Sequence, residues 1–290
     1  MRILVIGNGY LASTIIEKLI SDGQEVRIYS RTIKTGFSCE QIRGDIFDYE
    51  NLQIALAWEP NVVINTVWIT SPGSYKNDAS NYDYARFAID LAEFVRQLGV
   101  EHLIVLGSCA EYGVRGEPSI GGITALAPQS LYAEQKVVAL NGIKTLLKSS
   151  STNFTWARIY FPYGPNQNQN RLVPYLINSL RKSGSISLFD STSRYDWITT
   201  RDIASGISWI ISQRLYLEVD VGTSVGYTNI ELLRNLEEAM KTTCQTILQM
   251  RDGTDQSEVL IASHESSLLK SGWRPMDTLS SGLVWILENE

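Results

Sequence analysis

The sequence predicts an α/β fold, a doubly wound parallel sheet of the Rossmann type with a smaller C-terminal lobe. Three observations carry this. Short β-branched runs alternate with segments of helical period through the first half of the chain, the pattern of a parallel sheet covered by helices. A glycine-rich turn, Gly7-Asn8-Gly9-Tyr10-Leu11-Ala12, joins the first such run to the first helical segment, where a phosphate-binding turn stands in dinucleotide folds. After about Arg158 the texture changes, as Pro162, Gly164, Pro165 and the Asn/Gln-rich stretch Asn166–Asn170 break the alternation.

Strands are expected at Arg2–Ile6, Glu25–Ser30, Gln41–Arg43, Val62–Thr66, Leu103–Gly107 and Thr155–Tyr160. Between them, Tyr10–Ser21, Asn51–Ala57, Tyr82–Leu98 and Ala133–Leu147 read as helices; the third carries Phe87, Leu91, Phe94, Val95 and Leu98 at helical spacing. In the second half, helices at Val173–Ser183 and Asn229–Met240 separate short strands. The expected division is residues 1–158 as a dinucleotide-binding domain that carries the catalytic groups, and 159–290 as mainly a substrate-covering lobe with segments that return to the first sheet.

Composition narrows the function. With 44% apolar and 19% charged residues over 290 positions, the chain is built to bury a core. The charge sum, 25 − 31 = −6, leaves no broad cationic field for a nucleic acid or an anionic membrane. Three widely spaced cysteines without a CxxC pair, and only two histidines, argue against a structural metal and for a reducing cytoplasm. The apolar start Ile3-Leu4-Val5-Ile6 ends at Gly7, short of the ~7–15 residues of a signal-peptide core, and no run approaches the ~18 residues of a membrane span. A soluble cytoplasmic protein is expected.

The glycine turn points to a dinucleotide. Gly7 permits a tight turn, Gly9 lets a pyrophosphate approach the backbone, and the small Ala12 lets the helix pack on the strand with its N-terminal amides facing the phosphates. Asn8, Tyr10 and Leu11 belong to the same expected cofactor site. The second strand ends Tyr29-Ser30-Arg31, with Lys34 close behind and no carboxylate. An acid there would bind the ribose 2′-hydroxyl, whereas an arginine accommodates a 2′-phosphate, so Ser30 and Arg31 favour NADP(H) over NAD. The ends of the third, fourth and sixth strands add Asp45, Ile46, Thr66, Val67, Tyr160 and Pro162 to the expected cofactor contacts.

Ser108 closes the fifth strand, and Tyr132-Ala-Glu-Gln-Lys136 follows twenty-four residues on. Residues i and i+4 share a helix face, so phenol and ammonium can enter one cleft. The ammonium is expected to lower the phenol from its free value near ~10, making Tyr132 an acid–base group, with Ser108 bonded to the same reacting oxygen.

With these motifs in place the sequence resembles the extended short-chain dehydrogenase/reductase family of nucleotide-sugar epimerases, dehydratases and ketoreductases. The resemblance runs through GNGYLAS at the start, GSCAEYG at 107–113, PQSLYAEQK at 128–136, RIYFPYGP at 158–165, RLVP at 171–174, YDWITTRDIA at 195–204 and SGWRP at 271–275. It implies Ser108, Tyr132 and Lys136 as the catalytic set, Lys136 also holding the nicotinamide ribose, a nucleotide-sugar substrate and a homodimer. Departures matter equally. Cys109 and Ala110 stand where the family's dehydratases carry an Asp-Glu pair, Phe161 where an Asn that often contacts substrate is usual, and Tyr195 where an Arg is usual, with Arg194 beside it. Cys109, Ala110, Tyr132, Phe161, Arg171 and Arg194 make up the expected substrate contacts, the two arginines suiting a diphosphate. Cys109 reads as a small core residue, and Trp68 and Trp197 as core or sugar-pocket aromatics. The expected activity is NADPH-dependent reduction of a nucleotide-linked 4-keto-6-deoxy sugar. The alternatives are a 4-epimerase with tightly bound cofactor and a non-catalytic NADP-binding sensor.

Overall fold

Seven parallel strands form the central sheet, and burial on both faces explains why the sequence writes its inner strands as apolar runs: in the first of them Ile3, Leu4, Val5 and Ile6 have no exposed surface. The structure, a computed structural model, describes residues 1–182, 185–189, 192–249 and 258–289. Its first half alternates as expected: β1 (Arg2–Ile6), α1 (Tyr10–Ser21), β2 (Glu25–Ser30), β3 (Glu40–Arg43), α2 (Tyr49–Leu56), β4 (Val62–Asn65), α3 (Asn81–Gln97), β5 (His102–Ser108), α4 (Leu131–Leu147) and β6 (Asn153–Ile159).

Helix starts differ from expectation by a residue or two, for a local reason. Asp48 accepts a hydrogen bond from the Asn51 amide and Ser130 one from the Ala133 amide, so these caps begin α2 and α4 upstream of the first periodic apolar residues. The expected helix 173–183 is α5 (Leu172–Arg181), and Ser183 lies outside the described residues.

The second half divides. Strand β7 (Phe161–Tyr163), α5, β8 (Ile186–Phe189) and β9 (Arg194–Thr199) lead into α6 (Thr200–Gln213) and β10 (Leu217–Val221), followed by β11 (Gly226–Tyr227), α7 (Asn229–Met240), β12 (Thr246–Gln249), β13 (Val259–Leu260), α8 (Ser267–Lys270) and α9 (Leu279–Asn289). Strand β10 joins the central sheet beside β6, giving the order β10-β6-β5-β4-β1-β2-β3. One face of that sheet packs Ile15, Ile16 and Leu19 of α1 with Ile203 and Ile207 of α6; the other packs Leu52, Phe87, Leu91, Val95 and Leu140 of α2, α3 and α4. A third core gathers Leu176, Leu180, Leu232, Leu236 and Leu283 of α5, α7 and α9 under β9. Strand order reverses between β1 and β4, and a crevice outside the C-terminal strand ends at such a reversal is where α/β sheets bind ligands.

Candidate active site

A cleft of about 1290 Å³ opens over those strand ends. It is lined by every expected cofactor residue (Gly7, Asn8, Gly9, Tyr10, Leu11, Ser30, Arg31, Asp45, Ile46, Thr66, Val67, Lys136, Tyr160, Pro162) and by Ser108, Cys109, Ala110, Tyr132, Phe161 and Arg171. Arg194 is not among the lining residues. It is exposed, donates to the Gly226 carbonyl at 2.6 Å and pairs with Glu231 at 3.6 Å. Its neighbours in sequence, Tyr195 and Trp197, face the cleft in its place.

The glycine turn is built as its chemistry requires. Gly7 has φ +99°, and a Cβ there would stand 2.5 Å from Thr66 Oγ1, so only glycine fits. A Cβ on Gly9 would meet nothing within 4 Å, which leaves that backbone open to a ligand. Gly9 caps α1 with no side-chain hydrogen bond, so the first-turn amides retain their capacity to bind an anion. Asn8 Nδ2 donates to the Thr32 carbonyl at 2.5 Å, and Ser30 Oγ to the same carbonyl at 2.7 Å, fixing the loop that presents the exposed Arg31 at the cleft rim. Lys34 instead reaches Ser13 Oγ at 3.1 Å. The turn, the open backbone at Gly9 and the long cleft fit a dinucleotide.

Ser108 ends β5 and caps a 3₁₀ turn over Cys109–Tyr112, its hydroxyl accepting from the Ala110 amide at 3.2 Å. Tyr132 and Lys136 lie one turn apart on α4, both buried. The Ser108 hydroxyl acts to lower the Tyr132 phenol, but burial dominates and pushes Tyr132 well above its usual range. The expected lowering by Lys136 is therefore corrected: its ammonium turns to the Leu106 carbonyl at 2.7 Å and to the Trp68 ring, 3.9 Å from the centroid, while the Tyr132 ring centroid is 5.5 Å away. Burial lowers Lys136 itself to about 7, against the opposing pull of Glu111.

Around this pair, Tyr75 meets Tyr132 edge-on at 5.0 Å, and Arg171 reaches across from the start of α5 to the Thr70 carbonyl at 2.7 Å and lies 5.2 Å from the Tyr75 ring. Parallel pairing of β7 with β9 sets Phe161 beside Trp197, and the strand period of two puts Tyr195 on the same face. Their ring centroids lie 4.6 to 6.4 Å apart, an aromatic wall in place of the usual Asn and Arg. The Cys109 thiol is buried and pushed far up by burial and by nearby carboxylates including Asp196 and Glu111, which makes it a packing residue and not a nucleophile. Sequence reasoning missed Glu111, whose buried carboxylate closes the turn that Ser108 begins. The Ser-x-x-Glu spacing at 108–111 is a capping-box signal that marks it. It also missed Tyr75, which no local pattern marks.

A glycine turn feeding α1 and a Ser, Tyr, Lys set at the strand ends define an extended short-chain dehydrogenase/reductase. The chain belongs to the NAD dependent epimerase/dehydratase family, whose model it matches over residues 3–222. It is similar to a UDP-glucose 4-epimerase of Streptococcus mutans serotype c, 23% identical over 95% of this chain and 92% of that protein. A CDP-abequose synthase of Salmonella typhimurium is 24% identical over 47% of this chain and 48% of its own length. Among solved structures, that of a Thermus thermophilus UDP-glucose 4-epimerase in complex with NAD matches with a TM-score of 0.88 at 24% identity, covering 100% of this chain and 98% of that one. Among the described residues, no helix is long and apolar enough to cross a membrane, and no cluster of three or more His, Cys, Asp or Glu is placed to hold a metal ion.

Proposed function

We propose that the protein reduces the 4-keto group of a nucleotide-linked 4-keto-6-deoxy sugar with NADPH. The observation that carries the reading is that Ser108 shares the cleft with a Tyr132 phenol that burial keeps protonated through neutral pH, next to Ala110, whose methyl group moves no proton. Reduction needs one proton donor at the carbonyl oxygen. Dehydration needs an acid and a base at neighbouring carbons as well, and Cys109 and Ala110 stand where that pair would.

Tyr132 gives its proton to the sugar C4 oxygen, and Ser108 holds that oxygen by a second hydrogen bond. General acid catalysis of this kind contributes roughly 10²–10⁴ in rate. Lys136 holds the nicotinamide ribose, and the glycine turn with the N-terminus of α1 takes the pyrophosphate. Bound there, the nicotinamide supplies the hydride. Arg31 meets the 2′-phosphate, since no carboxylate stands at the end of β2 to prefer a free 2′-hydroxyl. Arg171 pairs with the substrate diphosphate.

A second reading, 4-epimerisation with a retained cofactor, is favoured by the near full-length similarity to UDP-glucose 4-epimerases. A cofactor-binding sensor would have no need of Ser108, Tyr132 and Lys136 together. Assays of NADPH oxidation against a panel of nucleotide-linked 4-keto-6-deoxy sugars test the reading: net oxidation with one of them supports it, and epimerisation of a 4-hydroxy sugar without net oxidation replaces it.

A further inference from the structure

Glu111 has no exposed surface, and a carboxylate taken out of water is costly unless its oxygens are fully used. They are. Oε1 accepts from the Ser108 amide at 2.7 Å, both oxygens accept from Trp156 Nε1 at 3.1 and 2.9 Å, and Oε2 accepts from Arg158 Nε at 2.7 Å. Every partner is a donor, as an ionised carboxylate requires.

The sheet makes this arrangement. Trp156 and Arg158 lie two apart on β6 and so share a face, paired in register with Val105 and Gly107 of β5. A Cβ on Gly107 would collide with Trp156 Nε1, so glycine there admits the indole to Glu111. Arg158 continues to Glu218 of β10 at 2.7 Å, and Glu218 to Lys144 of α4 at 2.7 Å.

We propose that Glu111 is a positioning residue for the reaction proposed above, its carboxylate holding Ser108 in place from below and keeping Lys136 an ammonium from the side. The inference rests on that reading of the site. The Ser108 amide bond is also one half of a capping box, so a positioning role is told from a structural one by the effect on Lys136 and on turnover. Around Lys136 Nζ stand the Leu106 carbonyl of β5 and the rings of Trp68, Trp156 and Tyr132, and Trp156 in turn donates to Glu111. Burial raises Glu111, against the pull of Arg158, Lys136 and its hydrogen bonds, and the negative charge it carries opposes the effect of burial on the lysine, since Tyr132 is neutral at working pH.

The test uses Glu111→Gln, the charge-balanced double variant Glu111→Gln with Arg158→Met, and Trp68→Phe in each background. The pH titration of Trp68 fluorescence, taken as the difference between proteins with and without Trp68→Phe and with no ligand added, reports Lys136, because the ammonium sits against that ring. Loss of the nearby negative charge disfavours the ammonium, so in Glu111→Gln the midpoint falls by about one pH unit, and in the double variant, where loss of the Arg158 cation opposes this, it falls by less. With NADPH and sugar, kcat falls at least about tenfold while KM for the sugar stays within about threefold, the signature of a lost transition-state interaction. Should the single variant fail to fold, the neutral pair in the double variant carries the test. A double variant with wild-type midpoint and wild-type kcat overturns the proposal and leaves Glu111 as the counter-ion of Arg158. If the wild type reduces no sugar while the midpoint still falls, Glu111 acts on Lys136 as stated and the reductase reading is what fails.

Discussion

Lys136 lies with its ammonium 3.9 Å from the centre of the Trp68 ring, and this lysine is almost wholly buried. Burial lowers it from 10.5 to about 7. Because the folded value lies below the unfolded one, the unfolded chain binds the extra proton between about pH 7 and pH 10.5, and the contribution of this group to stability rises with pH across that window. The cost of burying it is fully present below pH 7. Lys136→Met is therefore expected to inactivate the enzyme yet raise its stability at pH 6 by about 1 kcal/mol or more, some 2 °C in Tm. The gain shrinks towards pH 10. Thermal unfolding of both proteins across this range checks the prediction, and a constant gap at all pH values would contradict it.

Tyr132→Phe removes the proton donor and leaves the glycine turn and Lys136 intact. Turnover should fall at least about a hundredfold, with NADPH affinity within about twofold of wild type. Single-turnover kinetics with equilibrium cofactor titration separate the two, and retention of a tenth of the turnover would remove the phenol from its role.

Arg31 stands exposed at the cleft rim where the 2′-phosphate is expected. A charge-assisted contact of about 1.5–3 kcal/mol corresponds to roughly ten- to a hundredfold in affinity. Arg31→Ala should weaken NADPH by that factor and NADH hardly at all. Equal losses in a calorimetric titration would show that this side chain does not read the 2′ position.

Gly107→Ala places a methyl group where Trp156 Nε1 meets Glu111. The indole must move and its hydrogen bond to the carboxylate is lost, so a destabilisation of about 2 kcal/mol or more is expected. Denaturant unfolding measures it.

Much of this was legible in the sequence because the relevant signals are local. The β-branched runs, the turn at Gly7 and Gly9, and the Tyr132, Lys136 spacing each follow from backbone periods and sterics within a few residues. The position of Arg194 was not. Strand period decides which side chain faces the cleft, and the pairing of β7 with β9 gives that face to Tyr195 and Trp197. The direction of the Tyr132 shift was missed for a similar reason: spacing says that Lys136 is near, but burial, the Leu106 carbonyl and the Trp68 ring are set by elements distant in sequence. Glu111 carries a capping signal, yet its partners Trp156 and Arg158 lie 45 and 47 residues away and are found only through strand register.

The central claim is that hydride leaves the cofactor for good and arrives at C4 of the sugar. NADPH carrying deuterium at the transferred position of its nicotinamide, incubated with the protein and a nucleotide-linked 4-keto-6-deoxy sugar, tests it in one mass spectrum. The expected result is one deuterium at C4 of the product and one NADPH oxidised for each sugar reduced. Label retained in the cofactor, while a 4-hydroxy sugar is converted to its epimer, would contradict it.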